Sequence, residues 1–251
     1  MPRGRERIGS TGSVMTVAHR GEPIGHRENT LPGILAALRA GADMVEIDVK
    51  TTADGEVVLL HDDTLDRLWG VPAAVRETTS AQLADIAGPV AGGIADGIPT
   101  LTQGLAAIHR TGSALMVDLD APDLAEPALG EVQESLAAGQ LEPDEVVWCG
   151  NLLALRTIRQ QDPAARIVLS WGDRELPDPA VVAEVAPEAV NPMHPLVTDW
   201  TVEWAAALGL SVCCWTVDDP VRMRELHRLG VAAIISNRIA LLIQTVGTAA
   251  A

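Results

Sequence analysis

Eight short apolar runs recur along the chain, at residues 14–18, 44–49, 114–119, 145–149, 167–171, 188–191, 211–217 and 232–236, and each reads as a β-strand. Between them lie Ala- and Leu-rich stretches with helical character, at 31–40, 101–110, 124–138, 152–161, 178–184, 198–207 and 221–229. Most of the strands lack polar/apolar alternation, which is the pattern of a strand buried on both faces beneath helices. Eight strands, alternating helices and a length of 251 residues favour an α/β fold, a (β/α)8 TIM barrel, over an open doubly wound sheet. No Gly-x-Gly-x-x-Gly follows a strand, which weakens a dinucleotide-binding reading.

One further apolar run, 57–61, breaks the alternation. It follows 44–49 too closely for a helical crossover, since a parallel return needs roughly a dozen residues. Asp54-Gly55 between the two runs signals a two-residue type I′ turn, so the barrel carries a β-hairpin excursion after its second strand. Counting outward from that turn pairs Ala53 with Glu56 and Asp48 with His61, on one face of the ladder. The Gly-, Pro- and Ala-rich stretch 71–98 reads as an elaborated loop with a short helix near 80–86, a candidate wall or lid. No second domain is signalled: 14–251 reads as a single barrel domain, and the polar residues 1–13 as a loose tail.

Composition narrows the function. Hydrophobic residues make up 47%, enough for a large core. A formal net charge of −16 argues against nucleic acid and anionic membranes as partners. No apolar run reaches the ~18–20 residues of a membrane span, and residues 1–13 lack the apolar core of a signal peptide, so the expectation is a cytoplasmic protein without integral membrane association. Cys149, Cys213 and Cys214 lack metal or disulfide spacing and read as small buried residues in a reducing compartment. The chain has one lysine, Lys50, and neither Phe nor Tyr, which reads as genomic bias.

Chemistry-bearing residues gather at the ends of the early strands. Glu46 and Asp48 lie two apart and share a strand face. On an otherwise apolar strand two inward carboxylates are costly unless a cation pairs with them; a salt bridge to an arginine, or exposure on a loop, is the plainer alternative. Asp118 and Asp120 repeat the spacing, and Asp118 would complete an all-oxygen set suited to Mg²⁺ or Ca²⁺ rather than zinc, with a loop acid or helix cap as its alternative. His19-Arg20-Gly21 and His61-Asp62 add two imidazoles with pKa values near neutrality. His26, His109, His194 and His227 lack such surroundings and read as surface or packing residues. Trp215 is a core aromatic or, if it faces the mouth, a stacking surface for a substrate group, including a cationic one. Together these residues point to metal-assisted acid–base chemistry on an anionic substrate.

The motifs resemble those of the glycerophosphodiester phosphodiesterases. The matching elements are Ala18-His19-Arg20-Gly21, Glu28-Asn29-Thr30, Gly41-Ala42-Asp43 leading into Val45-Glu46-Ile47-Asp48, Asp54-Gly55, and His61-Asp62 with Thr64 and Arg67. Ile98-Pro99-Thr100-Leu101, Trp215-Thr216-Val217 and Gly230-Val231 through Ile234-Ile235 follow. The resemblance covers nearly all of the chain after residue 13. It implies a barrel related to phosphatidylinositol-specific phospholipases and hydrolysis of a glycerophosphodiester, a small-molecule substrate, to glycerol 3-phosphate and an alcohol. By the same resemblance one divalent cation, Mg²⁺ or Ca²⁺ with Mn²⁺ also admissible, would be held by Glu46, Asp48 and Asp118. His19 and His61 would be general base and general acid through a cyclic phosphate, and Arg20 would bind phosphate. Alternatives with the same barrel are a phospholipase D-type enzyme for lysophospholipids and a non-catalytic phosphate-ligand binding barrel.

Several positions depart from the family pattern. Asp120 stands where the family usually has a phosphate-contacting lysine, exchanging a cation for an anion beside an anionic substrate. A second cation, a positively charged substrate group such as choline, or weakened activity would each account for it. Asp118 replaces the usual Glu, Asp218 the usual Asn, and Asn237 a usual Asp. Val147-Trp148-Cys149-Gly150 stands where Ser-Ser-Phe is common.

Overall fold

The computed structural model describes residues 3–10, 12–88 and 96–247. The chain runs β1 (Met15–His19), α1 (Leu31–Ala40), β2 (Met44–Thr51), β3 (Val57–Leu59), α2 (Asp66–Trp69), α3 (Ser80–Ala87), α4 (Leu101–Ile108), β4 (Ala114–Leu119), α5 (Ala125–Ala137) and β5 (Val146–Gly150). It continues through α6 (Leu152–Gln161), β6 (Val168–Trp171), α7 (Pro179–Val185), β7 (Ala189–Pro192), α8 (Asp199–Ala207), β8 (Ser211–Cys214), α9 (Pro220–Arg228), β9 (Ala233–Ser236) and α10 (Ile239–Gly247). Eight of the strands are parallel neighbours in the order β5-β4-β2-β1-β9-β8-β7-β6, and a parallel bridge from Trp148 to Ile167 joins the two ends into a nearly closed barrel. The expected (β/α)8 barrel is the observed fold, with β3 as an antiparallel addition to β2.

Strand alternation divides the core into two shells. Residues such as Val45, Ile47, Leu115 and Val117 face outward and pack under the helices. Met15, Val17, Met44, Ala114, Met116, Val147, Val168, Ala189, Cys213 and Ala233 fill the lumen. The same inward register, followed to the carboxyl ends of the strands, changes from apolar to polar at His19, Glu46, Asp48 and Asp118. That is the end at which barrels of this kind carry their chemistry.

Two expectations need correction. The hairpin register is one residue off: Val49 pairs with Leu59, Lys50 with Val58 and Thr51 with Val57. The cause is the turn, where Gly55 takes a φ of +87° and donates to the Thr52 carbonyl, while Thr52 N donates to the Glu56 carbonyl. This is a three-residue loop with a left-handed glycine, not the two-residue type I′ turn. Leu60, not His61, therefore stands opposite Asp48, its N–H donating to the Asp48 carbonyl at 3.1 Å. His61 reaches the site as the chain leaves the ladder.

The second correction concerns residues 3–10, which pack against the barrel's base. Ile8 is buried among the lumen residues, Arg3 pairs with Asp43 and Arg5 with Asp144. Gly4 lies so close to the Asp43 carbonyl that a Cβ there would stand 1.9 Å from it. In the 71–98 excursion the expected short helix is present as α3, capped reciprocally by Thr79 and Gln82. Val75, Leu83 and Ile98 pack with Val58, Leu60 and Leu65 into a satellite core that braces β3. Residues 89–95 of that stretch lie outside the described residues.

Candidate active site

His19, Arg20, Glu46, Asp48, His61, Asp118, Asp120 and Trp215, all eight residues singled out from sequence, line one cavity of about 180 Å³ at the carboxyl end of the barrel. Cys149, Ser170, Asn191 and Ile235 complete its wall.

β2 and β4 run in register, Asp48 beside Asp118, and Glu46 joins them on the same inward face. One carboxylate oxygen from each of the three acids falls within 4.8 Å of the others. Burial, and then the charges of Asp48 and Asp118, push the Glu46 carboxyl well above its usual range. Asp118 is pushed to about 7 by burial, then by Asp48 and Asp120. Three converging carboxylates, of which Glu46 and Asp118 are held toward their protonated forms, fit a hard divalent cation, which takes oxygen ligands and supplies the missing positive charge.

The flanking groups hold this cluster in place. Arg20, at a φ of +57°, donates its backbone N–H to Glu46 at 2.9 Å and ion-pairs through Nε with Asp48 at 3.2 Å. Asn29 grips Asp48 twice, its amide nitrogen donating to Oδ2 at 2.8 Å and its oxygen accepting the Asp48 N–H at 3.1 Å. A polar string leads outward from Arg20. Glu28 accepts from Arg20 and from Arg67, Arg67 also grips Asp62, and Asp62 accepts from His61 Nδ1 at 2.7 Å. Hydrogen bonding from Arg67 holds the Asp62 carboxyl down at about 2.

The two imidazoles have different partners. His19 Nδ1 lies 2.7 Å from the Asn237 side-chain oxygen. Asn237 donates its amide nitrogen to Asp218 at 2.8 Å and its backbone N–H to the same carboxylate at 2.9 Å. The carboxylate accepts only, so the amide oxygen must turn toward His19 and Nδ1 must carry the proton. Nε2 keeps its lone pair and stands 3.9 Å from Glu46. Burial, and then the Arg20 charge, lower the His19 pKa, favouring the neutral ring. His61 is more exposed and presents Nδ1 to the Asp62 carboxylate, which leaves Nε2 facing the cavity.

Asp120 is met by Lys50, whose ammonium pairs closely with it and lies 2.9 Å from Asp63. Against burial, those two carboxylates raise the Lys50 pKa. Trp215 donates Nε1 to the Asn191 carbonyl at 2.9 Å, which fixes the ring at the mouth. The three cysteines are buried and unpaired with one another, as their spacing suggests.

The sequence profile of the Glycerophosphoryl diester phosphodiesterase family matches residues 19–241. The chain belongs to that family. A Caldanaerobacter subterraneus glycerophosphodiester phosphodiesterase is 24% identical over 228 residues, covering 89% of this chain and 94% of its own. A Mycobacterium tuberculosis protein, named a probable glycerophosphodiester phosphodiesterase, is 30% identical over 245 residues, with 89% of each chain covered. An Oleispira antarctica phosphodiesterase, solved with the product sn-glycerol-3-phosphate, superposes with a TM-score of 0.83 at 22% identity, over 93% of this chain and 96% of that one, and shares the barrel fold.

Sequence reasoning left Lys50, Asn29, Asp218, Asn237, Ser170 and Asn191 without a role, although five of them touch or line the site and Asp218 holds Asn237. Asn29, Asp218 and Asn237 stood inside or beside quoted motifs, and Lys50 continued the i, i+2 spacing of Glu46 and Asp48. That spacing was the one signal that could have placed Lys50 at the mouth.

Proposed function

We propose that this phosphodiesterase cleaves glycerophosphodiesters to glycerol 3-phosphate and an alcohol, with His19 as general base, His61 as general acid and a divalent cation held by Glu46, Asp48 and Asp118. The observation that carries the reading is the asymmetry of the two histidines on either side of one carboxylate cluster. His19, whose burial favours the neutral ring and whose Nε2 is free, suits proton abstraction; His61, backed by Asp62, suits proton donation.

In the first step His19 Nε2 takes the proton of the glycerol 2-hydroxyl as its oxygen bonds to phosphorus. The bond to the leaving alcohol breaks, and His61 gives that oxygen a proton, leaving a cyclic phosphate. Water then opens the ring, with the neutral His61 taking its proton and the protonated His19 returning one to the 2-oxygen, which restores both rings. Arg20 faces the non-bridging oxygens, and its cation offsets part of their charge. When bound, the cation would supply further neutralisation of those oxygens and acidify the attacking hydroxyl. The Asn191 side-chain oxygen is buried without a protein partner among the described residues, and with Ser170 and Trp215 it forms a neutral wall suited to glycerol hydroxyls.

The test is a panel of glycerophosphodiesters with Mg²⁺, Ca²⁺, Mn²⁺ or chelator. His19→Ala and His61→Ala should each abolish turnover with an unchanged melting temperature; undiminished turnover in either removes its role. Long-chain lysophospholipids belong in the same panel, because Ile24, Leu153, Trp200 and Val221 expose apolar side chains after β1, β5, β7 and β8, on the face that carries the cavity. Release of a lysophosphatidic acid at a higher rate than glycerol 3-phosphate would favour the phospholipase D-type reading.

A further inference from the structure

Lys50 is the chain's single lysine, and its position is set by strand register. Glu46, Asp48 and Lys50 alternate along one face of β2. On β4 the partners of Glu46 and Asp48 are Met116 and Asp118, so the next rung outward brings Lys50 beside Asp120. There its ammonium pairs closely with Asp120 and lies 2.9 Å from Asp63, two residues beyond His61. The Lys50 side chain is 10% exposed, whereas Asp120 is 50% exposed and lines the catalytic cavity. Lys50 itself lines a neighbouring hollow and is absent from the catalytic cavity's wall, so Asp120 stands between it and a bound substrate.

We propose that Lys50 is a positioning residue that acts through Asp120: it cancels that carboxylate's charge at the cavity mouth, keeps it turned from the three-acid cluster, and so lets an anionic phosphodiester enter. Its bond to Asp63 also ties the turn that carries His61 to the barrel rim. The inference rests on the proposed phosphodiester substrate, and it assigns the excess acid at the mouth to a partner within the chain.

The experiment is a charge cycle. An uncompensated charge about 8 Å from a phosphate, at an effective dielectric of about 20, changes affinity by about 30-fold. Lys50→Met should therefore raise KM for a glycerophosphodiester by about that factor and weaken binding of glycerol 3-phosphate, measured calorimetrically in chelator, to a similar degree. Lys50→Arg should keep both contacts and behave like the parent. Adding Asp120→Asn to Lys50→Met should restore affinity to within about threefold of the parent, because the charge that Lys50 balances is gone. Should Lys50→Met fail to fold, the exchanged pair Lys50→Asp with Asp120→Lys keeps one cation and one anion on the rung and should bind better than Lys50→Asp alone. Equal impairment of Lys50→Met and Lys50→Met/Asp120→Asn would overturn the inference, as would unchanged affinity in Lys50→Met. If the parent binds phosphates yet hydrolyses no glycerophosphodiester, the substrate reading fails while the binding cycle still decides the role of Lys50.

Discussion

The three-carboxylate cluster makes the ion-free protein pay for its site as pH rises, and Asp118 gives the size of the effect. Its carboxyl is raised from the ordinary 3.8 to about 7, mainly by burial and then by Asp48 and Asp120. Between those values the folded chain holds a proton that the unfolded chain has released, so stability declines as pH climbs from about 4 to 7 and is level above that. At about 1.4 kcal/mol per unit, the stretch from pH 5 to 7 amounts to a ceiling of about 3 kcal/mol, which water entry and side-chain relaxation would reduce. Asp118→Asn removes the titration while keeping the shape. In chelator its stability advantage over the parent should therefore widen between pH 5 and 8, by about 2–4 °C in Tm per kcal/mol. Adding Mg²⁺ or Ca²⁺ at pH 8 should raise the parent's Tm and leave that of Asp118→Asn nearly unchanged, since the ion then lacks a ligand. Thermal melts across pH, with and without the ion, read both effects. A pH-independent difference between the two proteins in chelator, or equal ion stabilisation of both, would refute the reasoning.

Two further predictions test the groups that orient the site. Asp218→Asn leaves the Asn237 amide free to turn its nitrogen toward His19, which disfavours the tautomer with a free Nε2; kcat should fall by about tenfold or more with KM little changed, and steady-state kinetics that show an unchanged kcat would remove the relay. Asn29→Ala strips two hydrogen bonds from buried Asp48 and should cost about 1–3 kcal/mol of stability in the ion-free protein, read from denaturant midpoints, with part of the loss recovered on adding the cation.

The barrel was legible because its strands are buried on both faces, and β2, with seven of its eight residues buried, shows why no alternation appears there. The cluster of His19, Glu46, Asp48 and Asp118 was legible because strand ends and i, i+2 spacing convert directly into a shared face. The hairpin register was not. Asp54-Gly55 satisfies both a two-residue and a three-residue turn, and the choice depends on Asp54, which does not take the positive φ that a type I′ turn also requires there, with Thr52 closing the loop. The Ile8 plug was hidden by its polar neighbours, since one apolar residue in a Gly- and Arg-rich segment carries no periodicity. Partnerships across the barrel were equally out of reach: Lys50 meets Asp120 across 70 residues, and His19 meets Asn237 across 218.

Those two partnerships meet two of the departures from the family pattern. At the mouth an acid stands where a cation is usual, and the lysine of the adjoining strand answers it. Behind His19 the acid and the amide have exchanged places: Asn237 now touches the imidazole and Asp218 holds the amide. Behind His19 the local sum of charge survives although the residues that supply it have moved; at the mouth Lys50 brings the rung to neutrality without restoring the net cation that a lysine at position 120 would give. Electrostatics and hydrogen bonding constrain the field and the proton positions within the cavity, and neighbouring strands less than 5 Å apart can supply either from either side. A substitution at Asp120 alone or Asp218 alone therefore changes two sites at once, because it leaves the partner's charge or amide without its counterpart.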